Sequence, residues 1–128
     1  MHSILEHLEL NVSDFKKSEP FYTALLTLLG YKPFLQEKGF LEMKSASGLF
    51  ALRQTSKKFI NNKFHRKNTG INHVAFRVGK KEDINTIHKN FLVKKNIPTL
   101  YNTPKLFFQP IFVIMDAAIL LAPYSTEK

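Results

Sequence analysis

The chain has 128 residues, with 19 Lys and Arg against 10 Asp and Glu (formal net charge +9), 44% apolar residues and twelve Phe. That length suits one domain around a single core. The absence of Cys excludes disulfides, thiolate nucleophiles and zinc–thiolate sites, while the positive charge draws anions: nucleic acid, acidic lipid, or a small carboxylate or phosphate. No basic-then-apolar leader stands at the N-terminus. The longest apolar run, Ile111 to Ala122, is broken by Asp116 and too short to span a bilayer, so a soluble, cytoplasmic protein with no membrane partner is expected.

The first element, "ILEHLELNV" (Ile4 to Val12), alternates as a strand does. Ile4, Leu8, Leu10 and Val12 share one face; Leu5, His7, Glu9 and Asn11 share the other. An imidazole, a carboxylate and an amide in a row on the second face make it a candidate wall of a binding cavity. Ser13 or Asp14 then caps a helix whose apolar stripe is Phe15, Tyr22, Leu25, Leu26 and Leu29, with Gly30 as its stop. Pro20 should bend that helix or confine its regular hydrogen bonding to the later turns. Three short strands follow: Tyr31 to Gln36, Gly39 to Lys44 and Gly48 to Gln54. On the last, Arg53 shares parity with Leu49 and Ala51, the cavity side.

The segment Thr55 to Thr69, "TSKKFINNKFHRKNT", has no sustained period and reads as a basic linker. Phe59 and Phe64 among its lysines offer a surface on which bases could stack, but a solvated connection is the simpler reading, and nucleic acid is not the expected partner. His2 and His65 are expected to be solvated.

The second half repeats the first. "INHVAFRV" (Ile71 to Val78) aligned on "LEHLELNV" sets His73 on His7, with Val74, Phe76 and Val78 on the apolar face and Ile71, His73, Ala75 and Arg77 on the other. A helix is predicted from about Lys81 to Lys95, with Ile84, Ile87 and Phe91 inward, His88 as a packing histidine, and Asn96 and Pro98 ending it. Ile97 to Asn102, Lys105 to Pro110 and the run from Ile111 read as strands. The last run is apolar on both parities, so it is expected to be covered on both faces. Each half reads β-α-β-β-β. The predicted fold is α+β: two βαβββ modules, about 4–54 and 70–124, joined by the linker 55–69. They form a curved, cup-like mixed sheet with helices on the outer face, and His7, Glu9, Asn11, Arg53, His73 and Arg77 face the cavity.

The stretches "HLELNVSDFKKSEPFYTALLTLLGY" and "GINHVAFRV" resemble the vicinal oxygen chelate superfamily, which includes glyoxalase I, bleomycin resistance proteins and extradiol dioxygenases. The resemblance covers Ile4 to about Tyr101 and implies paired βαβββ modules, usually assembled as a homodimer. It also implies a divalent metal (zinc, nickel, iron or manganese) in the cup, with His7 and His73 as ligands from the first strand of each module. The carboxylate ligands usual on the last strands would fall at Ala51 and, by a looser alignment, at Ala122. The Asp-Pro-Asp-Gly-like turn of similar members is reduced to Asp116 in "MDAAIL". Two imidazoles alone make a poor site for ions that want three or more protein ligands. Glu9 is the remaining donor, two residues from His7 and so about 6–7 Å along the strand.

Three readings of the histidines stay open: ligands of a catalytic metal, hydrogen-bonding groups of a metal-free pocket, or remnants of an ancestral metal site. The function expected is binding of a polar or anionic small molecule in the cup. If the chain is an enzyme, it is a metal-dependent lyase, transferase or dioxygenase-like protein with Glu9 moving a proton; the alternative is a metal-free protein that binds or sequesters its ligand. Asn11, Arg53 and Arg77 are the substrate-binding candidates, unless Glu9 already pairs with one of the arginines. There is no phosphate-binding Gly-rich loop and no Ser-centred nucleophile motif.

Overall fold

The computed structural model describes residues 3, 5–62, 69–71, 73–94 and 111–115. These fall in two units, one up to Asn62 and one from Thr69 onward.

The first unit runs β1 (His7–Val12), α1 (Phe15–Leu28), β2 (Lys32–Glu37), β3 (Phe40–Ser45) and β4 (Gly48–Gln54). Its four strands form one mixed sheet in the order β1-β4-β3-β2. β1 lies parallel to β4, with His7 opposite Leu49 and Val12 opposite Gln54, while β3 is antiparallel to both β4 and β2. The alternation in β1 decides which face is covered. Leu10 and Val12 are buried, with Leu41 and Met43 of β3 and Phe50 and Leu52 of β4 on the same side. α1 brings Phe15, Tyr22, Leu25 and Leu26 to this core, and the Tyr22 ring stacks on Phe50 with centroids 5.7 Å apart.

Both ends of α1 are fixed by local chemistry. Asp14 is the N-cap: its side chain accepts from the Lys17 N–H at 3.2 Å, and its carbonyl accepts from the Ser18 hydroxyl at 2.7 Å. At the other end Gly30, at φ +86°, donates to the Thr27 carbonyl at 3.0 Å, and Tyr31 donates to Leu26 at 2.9 Å. That double bond pattern closes a helix through a left-handed residue. Pro20 lies within the helix, which continues past it to Leu28. A second contact at the N-terminus comes from far along the chain. The Gln54 side-chain carbonyl accepts from the Phe15 N–H at 2.8 Å, and its amide donates to the Ser13 carbonyl at 2.9 Å.

The second unit contains β5 (His73–Arg77), α2 (Lys81–Ile87) with a π-helical continuation over His88–Val93, and β6 (Ile111–Met115). Asp83 caps α2 by accepting from the Lys80 N–H at 3.1 Å. Ile87 and Phe91 are buried, the inward stripe that their spacing predicts, and His88 is half-buried. β5 pairs antiparallel with β6, His73 opposite Met115 and Arg77 opposite Ile111. The strand-then-helix order of the first half thus recurs. The partner of its leading strand differs: parallel β4 in the first unit, antiparallel β6 in the second. The strands expected at 97–102 and 105–110, and the run after Met115, lie outside the described residues. The chain is α+β.

Candidate functional site on the open sheet face

The face of the first sheet opposite α1 is a set of rows fixed by the ladder. His7, Leu49 and Lys44 form one row, Glu9, Ala51 and Glu42 the next, and Asn11, Arg53 and Phe40 the third. β2 extends them, setting Lys32 beside Lys44, Leu35 beside Glu42 and Glu37 beside Phe40, with the register shift falling at Phe34. Four of the residues singled out in the sequence, His7, Glu9, Asn11 and Arg53, therefore share one face. His73 and Arg77 stand four residues apart on β5, in the other unit. Arg77 is exposed, and the reading of His73 as a ligand concerns a side chain outside the described part of the structure.

Arg53 and Glu9 form an ion pair. The guanidinium donates from Nε to one Glu9 oxygen and from Nη2 to the other, the latter at 3.3 Å. The guanidinium carbon also lies 4.4 Å from the Phe40 ring centroid, so stacking and pairing fix its plane together. The hydrogen bond from Arg53 holds the Glu9 carboxyl below its ordinary range; desolvation by partial burial opposes this, and the charges of Arg53 and His7 add smaller contributions to the lowering. Glu9 is thus a bound carboxylate, poorly suited to taking up a proton. His7 is more exposed, and its Nδ1 lies 3.3 Å from the Glu6 carboxylate just before β1.

The remaining surface of this face mixes Phe34, Leu35 and Phe40 with the charges of Lys32, Glu37, Glu42 and Lys44. The Lys44 ammonium sits 5.0 Å from the Phe34 centroid, and Phe34 and Leu35 are 58% and 43% exposed. The alternation of "FLEMKS" carried this signal in the sequence, since Phe40, Glu42 and Lys44 share a parity; the bulge at Phe34 had none.

The donor set can be tested for a divalent metal. Both Glu9 oxygens accept from Arg53, Ala51 has no donor atom, and His7 is turned to Glu6. Among the described residues, no three His, Asp or Glu side chains come together as a metal site requires. The described residues of this face do not fit a metal centre.

No protein-family profile matches the sequence. The fold is similar to the crystal structure of a Bacillus halodurans protein provisionally named a glyoxalase, with a TM-score of 0.78 over 90% of both chains at 29% identity. The chain has the fold of the vicinal oxygen chelate superfamily. The lactoylglutathione lyase of Agrobacterium tumefaciens shares the fold at 18% identity, with a TM-score of 0.53 over 78% of this chain and 75% of that one. An uncharacterised Bacillus subtilis protein, YqjT, is 28% identical over 90 residues, 70% of each chain.

Proposed function

We propose that this protein binds a polar or anionic small molecule on the open face of its sheet and holds it without a metal. The supporting observation is the Glu9–Arg53 pair beside Ala51. It takes the Glu9 carboxylate away from metal ligation and proton transfer, and it leaves a planar cation pre-oriented on Phe40. A guanidinium fixed on two sides still has N–H groups to offer a ligand carboxylate, at little further entropic cost. Lys44 supplies a second cation, and Phe34 an apolar surface beside it. His7 and Asn11 are assigned to hydrogen bonding with this ligand, Arg77 stays a substrate-binding candidate of the second unit by itself, and the working form is a cytoplasmic homodimer.

The test is calorimetric titration of the untagged protein with small carboxylates and phosphates, with and without a chelator. Binding should survive chelation and weaken in Arg53→Met. Stoichiometric zinc, nickel, iron or manganese kept through dialysis and lost in His7→Ala would overturn this reading in favour of the metal-dependent lyase.

A further inference from the structure

The turn after β4 carries a pattern that ligand binding on the sheet does not use. Phe59 and Ile60 are 52% and 42% exposed, side by side, at a point where a soluble surface would normally be polar. The turn is ordered: the Phe59 N–H donates to the Ser56 carbonyl and the Asn62 N–H to the Phe59 carbonyl, each at 3.0 Å. Lys57 and Lys58 directly precede the apolar pair, and the Lys58 ammonium sits 5.3 Å from the Phe59 ring centroid. In the sequence Lys63, Arg66 and Lys67 follow.

We propose that this turn docks the protein peripherally on an anionic lipid surface. Phe59 and Ile60 enter the boundary between headgroups and acyl chains, and Lys57 and Lys58 stay with the phosphates. An apolar pair flanked on one side by two lysines matches the two layers of that interface, since the lysine stems lie along apolar surface while their charges remain in water. Single-stranded nucleic acid fits less well: Ile60 has no π face for a base, and one face of Phe59 already carries Lys58. A second copy fits less well too, because a symmetric contact would bring the same lysines together between chains of net charge +9. Such docking is distinct from crossing: among the described residues no helix is long and apolar enough to span a membrane.

The chain has no Trp, so Phe59→Trp gives a single reporter at the tip. Its emission should shift to the blue, and the protein should co-sediment, with vesicles of phosphatidylcholine plus phosphatidylglycerol but not with phosphatidylcholine alone. Lys57→Gln and Lys58→Gln should each weaken binding about fivefold, and added salt should weaken it further. Phe59→Ser with Ile60→Ser should abolish it at unchanged charge and unchanged circular dichroism. Absence of a shift with anionic vesicles, or equal binding to both vesicle types, overturns the proposal. So does a shift produced by a single-stranded oligonucleotide and not by vesicles, which would make the turn a nucleic-acid contact. A reporter already blue-shifted without lipid, in a dimer that Phe59→Ser dissociates, would make it an interface between copies.

Discussion

Arg53 bridges diagonally across the β1–β4 ladder: it donates to both oxygens of Glu9, although the residue opposite Glu9 is Ala51 and the residue opposite Arg53 is Asn11. The pair therefore ties two adjacent rows of the open face together. Because the lowered carboxyl is ionised more readily in the folded protein than in the unfolded chain, the pair adds stability above the unfolded carboxyl pKa. That contribution disappears as pH falls through the lower, folded value.

A pH series should show this directly. The Glu9 carboxyl carbon, followed by NMR, should titrate below the ordinary glutamate range of about 4.3, and Arg53→Met should move it back up. Glu9→Gln should be less stable than the wild type near neutrality and indistinguishable from it in acid, where Glu9 is itself protonated. A Glu9 that titrates normally would mean the pair is not formed in solution.

Tyr22 gives the opposite limb. Its side chain is fully buried, and burial pushes the phenol well above its ordinary range. The neutral phenol is favoured in the folded state, so the associated stability is intact below the unfolded pKa of about 10 and is lost as pH rises above it. Tyr22 should resist ionisation in alkali until the protein unfolds. Tyrosinate absorbance should show that late step, and Tyr22→Phe should remove it.

Gln54 makes a third case. Its side chain accepts from Phe15 and donates to Ser13, so it joins the end of β4 to the start of α1. Gln54→Ala leaves a half-buried N–H without its acceptor and should cost about 1–2 kcal/mol in urea denaturation. Gln54→Glu keeps the acceptor and sets a negative charge at a helix N-terminus, so its cost should be smaller.

Gly48 and Gly30 separate two causes of glycine dependence. Both have positive φ, but a Cβ at Gly30 meets open space, whereas one at Gly48 would lie 2.6 Å from the Glu6 carbonyl oxygen. Gly30→Ala should cost about 1–2 kcal/mol, the strain of a left-handed backbone alone. Gly48→Ala should cost more, because Glu6 must also give way at the bond from the Leu49 N–H to its carbonyl, 2.9 Å long. Equal losses in the two variants would count against the close approach of β1 to the start of β4.

The parts legible in the sequence were those that local rules govern. Alternation in Ile4 to Val12 gave the buried pair Leu10 and Val12, Asp14 and Gly30 bracketed α1, and β4 begins at Gly48 and ends at Gln54 as its pattern indicates. The pairing of Glu9 with an arginine was one of two open possibilities, and parity had already placed Arg53 on the same face. What local rules could not supply was pairing between distant segments. Nothing in "HLELNV" specifies β4 as its neighbour, and nothing in "GLFALRQ" announces that Gln54 will hold Phe15. The π-helical turn after Ile87 was also hidden, because its apolar spacing is compatible with an ordinary helix.

The parallel pairing of β1 with β4 also sets an order of events for a chain made from its N-terminus. β2, β3 and β4 can pair in succession through short turns, but β1 must wait for a strand that is synthesised after α1 and both intervening strands. Contacts so distant in sequence are slow to close, because chain entropy is lost before they form. A nascent chain that ends before Gln54 carries Leu10 and Val12 without the neighbour that covers them. It also holds Glu9 without its arginine. The polar face of this unit is therefore completed only once β4 is in place.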